Sequence, residues 1–571
     1  MKFTYTALAV SALAASSIVE AANLTEADEV ASLFDATQII SYNLVMTEDS
    51  IAFLNADPTQ EVYVPCNVTL NYVDPLTESN VDTVEPLTLI GAGCRYKGSS
   101  GSYKGCVSTE NGSYGAIIEN STSCRTLSWK VDSNEFADDY DQESKQRFYG
   151  LKKLVFNGIQ DDDSMIGERL AYTVLGERLT NSPRVAVARV FVNDEYYGVY
   201  DFIEEVDDIF VDSHYTEENV SLGAMWKEVW YPCAGHPNPT YDLNINDFEP
   251  KEYGDDDFTG LDKLSEVAQL SIECLAGDNC DETAAQAILD GRVDSTSFLN
   301  TMVVNYLLLN WDSAHRLFAD STDNSYYNHN YYLYVPQNGT IEYIPWDYSE
   351  ALIQASCGFD DAYSSTEDGF GQGGGDGGQG GRPTAEGTDN STQAGNVMTT
   401  EEMAAMDTDM MVTPPEEGVD ATAFAAGGSP TGGQRGQRGQ GGDTTTTCPE
   451  TPHWFDTTFD QSLCNVTGSG GRDSTMPFAC DPVGHIMALA WKTQFLELMA
   501  VAQSQDNFLG GINDHAKVFA VQVAYDVERY ANQGGIPSYS DFQWGVVNSL
   551  QKAGTESMYW FTYANNATSF A

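Results

Sequence analysis

A long polar segment interrupts this 571-residue chain and limits what the remainder can fold into. Residues 367–447 are rich in Gly, Gln, Thr and Asp and hold few large apolar side chains, so they cannot bury enough surface to offset the entropy lost on ordering. We therefore predict a disordered insertion over 367–447. A globular fold must come from residues 22–366 and from 448–571, where helical periodicity resumes over Gly484–Tyr530 and Trp544–Asn565.

The charge balance excludes several classes of partner. Hydrophobic residues make up 42% of the chain, which is enough for a core, while 27 Lys and Arg stand against 85 Asp and Glu for a formal net charge of −58. A nucleic-acid binder, or a protein held electrostatically on anionic lipid, needs a basic face, so we expect neither. The charge leaves basic proteins, metal cations and metal-bound nucleotides as possible partners.

The N-terminus and the cysteines indicate a secreted protein. Residues 1–21 combine Lys2, a short apolar run and a small residue at the cleavage position, which predicts a signal peptide. We expect no other membrane span, and the polar C-terminus shows no GPI signal. The 11 cysteines lack zinc-site spacing and predict disulfides, with an odd cysteine left over. Predicted N-glycosylation sites are Asn23, Asn67, Asn111, Asn120, Asn219, Asn338, Asn390, Asn465 and Asn566.

Local patterns predict strands followed by helices. Strand-like runs end before a Gly/Ser-rich loop at Gly91–Gly105, and Ser164–Leu179 has helical spacing behind an acidic entry. Two β-hairpins are predicted, over 186–203 and 331–345, each with a short polar turn. Further helices are predicted over 261–275 and 297–309.

Several polar residues fall where a nucleotide site would need them. Arg95 and Lys97 lie in the Gly/Ser loop, which could wrap phosphates although it lacks the P-loop spacing. Lys130 lies on a strand and Glu168 near the start of the next helix, the arrangement by which kinases present a cation to phosphates. Taken alone, the loop is also typical of a hairpin tip, and both charges are typical of a surface.

Three further residues suit metal and acceptor chemistry. Asp312 emerges from the end of an apolar helix, Asn330 precedes an aromatic strand, and Asp347 follows another strand. Carboxylate and amide oxygens are the ligands that Mg²⁺ or Mn²⁺ prefers. Neither HExxH nor GxSxG occurs, so a zinc hydrolase or a serine esterase is disfavoured.

An ordered series of motifs resembles the CotH kinase family, which is named for a bacterial spore-coat protein and includes fungal surface invasins. CRYKGSSGS (Cys94–Ser102) is similar to the family's R-x-R-G-N-S-S loop, and Gly150–Tyr172 is similar to its G-x-K-x-L-x-L-N and R-E-x-L-A-Y stretch. Arg189–Phe210 resembles N-G-E-Y-x-G-x-Y followed by E-x-V-D. MWKE, NWD, NYYLY and IPWDYS, between Met225 and Ser349, resemble its remaining segments.

The resemblance implies an α+β, two-lobed atypical protein-kinase-like fold, with a β-rich N-terminal part and a helical C-terminal part. It implies transfer of the ATP γ-phosphoryl group to Ser or Thr of secreted or surface proteins, with Mg²⁺ or Mn²⁺. Asp312 is then the catalytic acid, Asp347 and Asn330 bind the metal, and Lys130 pairs with Glu168 at the nucleotide. Glu204–Asp207 would lie near the adenine, and Lys227 is a second candidate for the phosphate-binding lysine.

Two departures from the family pattern support an alternative. The last acid of its W-D-x-D motif is Ser349 here, and its helix arginine is Gly167, with Arg169 two residues on. A catalytically degenerate adhesin or coat-type interaction protein is therefore the alternative to an active kinase of the secretory pathway.

Overall fold

The computed structural model divides the chain into two units, and all the described residues fall in the unit formed by residues 1–362 and 448–571. The predicted signal peptide and the predicted insertion lie outside the described residues, as do most of the C-terminal residues after 550. The residues that the structure describes are 26–35, 39–73, 87–98, 103, 106–110, 113–118, 127–140, 142, 146–159, 162–215, 223–228, 231–233, 248–252, 259–310, 312–320, 325–328, 330–336, 339–353, 474–477, 481–504, 508–530, 537, 540–550 and 553.

Seven strands of the N-terminal part close into a barrel in the order β1-β2-β3-β6-β7-β9-β8. Neighbouring strands are antiparallel except β1 and β8, whose parallel pairing completes the ring. The barrel strands are β1 Ile39–Val45, β2 Val64–Val73, β3 Leu87–Tyr96, β6 Trp129–Asp132, β7 Lys153–Gly158, β8 Val185–Val192 and β9 Glu195–Ile203; between them, β4 Val107–Glu110 and β5 Ser113–Ile117 form a separate ribbon.

Side-chain alternation divides the barrel into an apolar inside and a polar outer face. Tyr96, Val131, Phe156 and Phe202 all lie in one buried core cluster. Successive side chains of a strand point to opposite faces, so the residues between these core positions point outward. The outward positions on β3, β6, β7 and β9 hold Arg95, Lys130, Lys153, Asn157 and Asp201.

The Gly/Ser loop predicted over Gly91–Gly105 is wrong in its first part, since β3 continues through Tyr96. Gly91 adopts a φ of +73°, a conformation that glycine tolerates within a strand at an irregularity. Gly91 therefore marks a local irregularity within the strand and not the end of the strand. Arg95 consequently lies on the strand, and Lys97 lies directly after it.

The two hairpins and three of the helices before residue 353 agree with the sequence predictions, whereas the helices over 26–33, 48–56, 208–214 and 282–289 were not predicted. β8 and β9 form the first predicted hairpin, and β15 with β16 forms the second. Gly167 is the first residue of the predicted helix that follows the acidic run. The helices of this part are α1 Glu26–Leu33, α2 Glu48–Ala56, α3 Gly167–Gly176, α4 Asp208–His214, α5 Thr259–Leu275, α6 Glu282–Leu289 and α7 Ser295–Leu307.

Two smaller sheets follow the barrel in sequence. One has the order β12-β10-β15-β16 and the other β11-β14-β13-β17. Their strands are β10 Ala224–Glu228, β11 Tyr231–Cys233, β12 Phe248–Glu252, β13 Arg316–Asp320, β14 Ser325–Asn328, β15 Tyr331–Val335, β16 Glu342–Pro345 and β17 Ser474–Pro477.

The part after residue 480 is helical, as predicted. It contains α8 Pro482–Ser504, α9 Phe508–Tyr530 and a further helical stretch over 540–550. α8 packs on α5, α6 and α7, while α9 packs on α3 and on β9. The fold is thus mixed α and β, rich in strands first and in helices last. The two-lobed arrangement stays a prediction.

A buried ion pair attaches α9 to the barrel. The Arg189 Nε atom on β8 donates to Asp526 Oδ2 at 2.8 Å, and the Tyr196 hydroxyl on β9 donates to Asp526 Oδ1 at 2.9 Å. Arg189 is 5% exposed and Asp526 1% exposed, so neither charge has water to replace its partner. Residues more than 300 positions apart in sequence are therefore held together by one carboxylate.

The expected disulfides are confirmed for five cysteines. Cys66–Cys94 joins β2 to β3, and Cys274–Cys280 closes a short loop after α5. Cys106 is also disulfide-bonded. Among the described helices, none is long and apolar enough to cross a membrane. The disulfides are consistent with a secreted protein.

Removing the carboxylate of Asp526 tests how strongly α9 depends on this pair. Asp526→Ala leaves the Arg189 guanidinium buried without its counterion, so we expect the free energy of unfolding to fall by about 3–5 kcal/mol in a urea titration. Glu266→Ala is the matched control, because the Glu266–Arg292 pair is exposed to solvent and stabilises the fold little. Equal losses in the two variants would contradict this account.

Candidate functional site

The outer face of the barrel concentrates positive charge in an acidic protein. Arg95 on β3 lies directly across from Lys130 on β6, and Lys153 on β7 pairs in register with Asp132. Lys97 follows Arg95 by two residues. Only 27 of the 571 residues are Lys or Arg, so four on adjoining strands form a local basic surface. Such a surface suits a polyanion far better than the rest of this chain does.

Lys130 forms an ion pair with Glu205 rather than with Glu168, so that predicted pairing is wrong. Its Nζ lies 2.5 Å from Glu205 Oε1, and both side chains are largely buried. Burial alone would lower the pKa of Lys130, but Glu205 outweighs it and raises that pKa. Burial likewise opposes ionisation of Glu205, yet Lys130 and Lys153 hold its pKa at about 2. The pair is therefore fully charged at neutral pH.

Glu168 is connected to a different lysine through an amide. Lys97 Nζ donates to Asn157 Oδ1 at 2.5 Å, and Asn157 Nδ2 donates to the two carboxylate oxygens of Glu168 at 3.1 and 3.2 Å. Burial lowers the pKa of Lys97, while Asp347 and Glu168 act to raise it. The Trp346 ring centroid lies 5.7 Å from Lys97 Nζ, which places this ammonium beside the segment that holds Asp347.

The N-terminus of α3 holds the Asp347 turn in place. Glu168 Oε1 accepts a hydrogen bond from the Tyr348 backbone N–H at 3.2 Å, and the Tyr172 hydroxyl, one turn later, accepts one from the Asp347 N–H at 2.9 Å. A Cβ on Gly167 would lie 2.7 Å from the Ala351 carbonyl oxygen. A side chain at position 167 would therefore collide with the backbone that follows Asp347.

Asp162, in the acidic run before α3, interacts with the N-terminus of that helix, as the sequence predicted. Asp162 accepts hydrogen bonds from the Gly167 N–H at 2.8 Å and from the Ile166 N–H at 3.1 Å. A carboxylate at this end satisfies otherwise unpaired N–H groups and interacts favourably with the helix dipole. Asp162 is therefore used by α3 itself.

Asp312, Asn330 and Asp347 converge at one end of the β15–β16 hairpin. Tyr331 is paired with Pro345, so the residues just outside this pair, Asn330 and Trp346, are neighbours, and the Trp346 N–H donates to the Asn330 carbonyl at 3.2 Å. The Asn330 side chain then donates to the Asp312 carbonyl oxygen at 2.8 Å and to Asp312 Oδ2 at 3.0 Å. The three segments selected from sequence are thus brought together.

Backbone strain is concentrated around this convergence. Positive φ values occur at Asn330 (68°) and Asp347 (55°), and also at the bulkier Met165, Leu309 and Leu352. Such values are uncommon for residues other than glycine, and they persist where the surrounding structure enforces them, often at functional sites. Leu352 is fixed by its N–H, which donates to the Leu308 carbonyl at 2.8 Å.

Ser349 contacts the acid that it follows. Its hydroxyl donates to Asp347 Oδ1 at 2.8 Å, and its N–H lies 3.4 Å from the same oxygen. The family's second acid is therefore replaced by a hydroxyl that orients the first.

The remaining candidates lie at different distances from this centre. Glu204 is buried, accepts a hydrogen bond from Arg184 Nε at 2.9 Å and lies 2.9 Å from His214 Nε2, so its partners are not the residues of this centre. The Arg95 guanidinium lies 3.5 Å from Glu61 and 5.3 Å from the Tyr63 ring centroid. Lys227 on β10 lies directly across from Tyr332 on β15, and its ammonium nitrogen is 5.9 Å from the centroid of the Tyr332 ring.

The donor set fits a metal that arrives with a nucleotide. Within the described residues, no group of three Asp, Glu, His or Cys side chains is arranged to hold a metal alone. Mg²⁺ is usually held by one or two carboxylates together with substrate phosphates. Asp347 supplies a carboxylate, and Asn330 directs its amide nitrogen to Asp312, so its amide oxygen is the atom suited to a cation.

Sequence reasoning missed Asn157 and Tyr172 as members of the site, and it placed Glu205, within Glu204–Asp207, near the adenine without foreseeing its ion pair with Lys130. Asn157 occupies the last position of the G-x-K-x-L-x-L-N motif, and Tyr172 ends the following motif. Both were therefore visible as motif positions. Their partners were not, because those partners come from other strands and helices of the folded chain.

The comparisons with known proteins agree with this geometry. Residues 94–393, slightly more than half of the chain, match the family described as CotH kinase protein. A search of curated proteins finds no match.

The buried position of Glu168 predicts a pH dependence of stability. Burial and the nearby Asp347 raise the pKa of Glu168 well above its usual 4.5. Above about pH 4.5 the unfolded chain has released a proton that the folded protein keeps, so the free energy of unfolding falls as pH rises. Glu168→Gln retains the acceptor for Asn157 and Tyr348 but does not titrate. We expect its decline between about pH 5 and pH 7.5 to be shallower, by up to about 1.4 kcal/mol per pH unit.

Urea titrations at several pH values measure this difference. Glu342→Gln serves as a positive control away from the site, because burial raises the pKa of Glu342 to about 7. If Glu342→Gln flattens the profile and Glu168→Gln runs parallel to the wild type, the electrostatic description of Glu168 is incorrect.

Proposed function

The chain belongs to the CotH kinase family, and on that premise we propose that it is an ATP- and divalent-metal-dependent protein kinase. The reaction transfers the γ-phosphoryl group of ATP to Ser or Thr of proteins in the secretory pathway. The observation that supports it best is the convergence of Asp312, Asn330 and Asp347 next to the basic outer face of the barrel. A site for phosphoryl transfer needs an acid at the acceptor, hard oxygen ligands for a metal and a cation at the phosphates.

Asp312 is placed to act on the acceptor hydroxyl. Its carboxylate is held by the Asn330 amide, and the turn that carries it follows α7. The hydroxyl oxygen attacks the γ-phosphorus, the bond from that phosphorus to the β,γ-bridging oxygen breaks, and ADP leaves. Asp312 orients the hydroxyl and accepts its proton, so the products are ADP and a phosphoester.

Asp347 and Asn330 would hold the Mg²⁺ or Mn²⁺ ion. When bound, the ion neutralises the negative charge of the phosphates. The protein contributes a positioned carboxylate, because the Ser349 hydroxyl donates to Asp347 Oδ1 and the Tyr172 hydroxyl accepts the Asp347 backbone N–H. A positioned carboxylate loses little conformational freedom when the metal–nucleotide complex binds.

Lys97 is the cation that we assign to the phosphates. Lys130 is already paired at 2.5 Å with the Glu205 carboxylate, whereas Lys97 donates to the neutral amide oxygen of Asn157. Lys97 also lies against Trp346, the residue before Asp347. Lys130 and Glu205 form the adjacent edge of the same surface, and Lys227 remains the second candidate lysine.

The charge of the chain favours basic substrates. A net charge of −58 attracts a basic protein over long distances and raises its rate of association at low salt. Disulfides and the predicted signal peptide agree with action in the secretory pathway, where ATP is available to a kinase. We infer basic Ser- or Thr-containing proteins as the substrate class.

Substitution of the two acids tests the proposed reaction. With labelled ATP, Mn²⁺ or Mg²⁺ and a basic acceptor such as a histone, we expect Asp312→Asn and Asp347→Asn each to reduce label transfer by at least about 100-fold. Asp278→Asn, on an exposed loop, is the matched control and retains wild-type transfer.

Nucleotide-dependent stabilisation separates the outcomes. ATP with Mn²⁺ should raise the melting temperature of the wild type and of Asp312→Asn, but not that of Asp347→Asn. Transfer that persists in Asp347→Asn would show that the site assignment is wrong. Absence of both transfer and stabilisation in the wild type would favour the interaction-protein alternative.

A further inference from the structure

We propose that Asn157 is a positioning residue that aims Lys97 at the phosphates, an inference that rests on the proposed kinase function. Asn157 lies on β7, on the outer face of the barrel, between the lysine after β3 and the glutamate of α3. It takes the place of a direct lysine–glutamate ion pair. No side chain other than Asn157 is seen to bridge these two groups among the described residues.

The chemistry of the three groups fixes the orientation of the amide. An ammonium group can only donate hydrogen bonds, so the atom 2.5 Å from Lys97 Nζ must be the amide oxygen. The amide nitrogen then faces Glu168 and donates to both of its oxygens. Exchanging the two ends of the amide would place a donor against a donor, so the bridge has one allowed direction.

The bridge leaves Lys97 with more charge to offer than an ion pair would. When a lysine is bonded to a carboxylate, the negative charge of that partner offsets the positive charge of the lysine, as Glu205 does for Lys130. Lys97 uses one of its three N–H bonds on a neutral oxygen, so its ammonium group keeps two N–H bonds for a phosphate. Asn157 thereby holds the ammonium in position and does not compete with the ligand for its charge.

The same bridge connects Lys97 to the metal-binding turn. Asn157 donates to Glu168, and Glu168 Oε1 accepts the N–H of Tyr348, which follows Asp347. Asn157 is 7% exposed and Glu168 6% exposed, so solvent does not readily replace these bonds. A change at Asn157 therefore alters the distance between the phosphate-binding cation and the metal-binding acid.

A second buried asparagine offers a matched control. Asn181 is 3% exposed, and its amide nitrogen donates to Glu342 Oε2 at 3.3 Å and to the Tyr343 carbonyl at 3.2 Å. It contacts a half-buried glutamate, where Asn157 contacts a buried one, and no lysine of the site. Asn157→Asp and Asn181→Asp each place an acid beside an acid, so a merely structural role predicts similar effects in both.

The test compares ATP–Mn²⁺ binding by calorimetry with the steady-state constants for transfer. In Asn157→Asp the new carboxylate forms a direct ion pair with Lys97 and withdraws it from the phosphates. We expect Kd and KM for ATP to rise about tenfold or more, with a smaller change in kcat, and Asn181→Asp to stay within about twofold of wild type. Asn157→Ser, whose hydroxyl is too short to bridge, replaces Asn157→Asp if that variant does not fold and should show the same loss.

Coupling to Lys97 provides the decisive readout. Lys97→Met alone should weaken ATP binding, and adding Asn157→Asp to it should cause no further loss, because Asn157 acts through Lys97. Additive losses, or equal effects of Asn157→Asp and Asn181→Asp, would overturn this inference while leaving the proposed function intact. A wild type that does not bind ATP with Mn²⁺ would overturn both.

Discussion

A chain of hydrogen bonds from the barrel to the Asp347 turn organises the candidate site. It runs from Lys97 through Asn157 and Glu168 to the Tyr348 N–H. Each member comes from a different part of the fold: β3, β7, α3 and the segment after β16. The groups are poorly exposed, so each needs its neighbour to satisfy its polar atoms. The positions of helix α3 and of the metal-binding turn are therefore set together rather than independently.

Burial of charge explains how so acidic a chain can hold a phosphate-binding surface. The outward positions of β3, β6 and β7 carry lysines and an arginine, while the inward positions form the apolar core. Glu205 neutralises Lys130, and Asn157 leaves Lys97 charged. The far larger negative charge elsewhere acts at long range, whereas an anion at this face would meet the local cations.

Sequence reasoning identified the residues that lie close to one another in the chain. The two hairpins and helix α3 were predicted because their periodicity and turn residues are local signals. The convergence of Asp312, Asn330 and Asp347 was implied by the family resemblance and is seen in the structure. The extent of β3 was missed because Gly91 resembles a loop residue, and the partners of Lys130 and Lys97 were missed because they depend on which strands are neighbours in a closed barrel.

The central claim is that Asp347 and Lys97 bind the metal and the phosphates of one nucleotide. A crystal structure with Mn²⁺ and a non-hydrolysable ATP analogue tests it most directly, since Mn²⁺ is located by its anomalous scattering. We predict an anomalous peak bonded to the Asp347 carboxylate and to Asn330 Oδ1, with Lys97 Nζ hydrogen-bonded to a phosphate oxygen and to Asn157. A peak bonded to other residues, or phosphates bound by Lys130 or Lys227 with Lys97 uninvolved, would contradict the account.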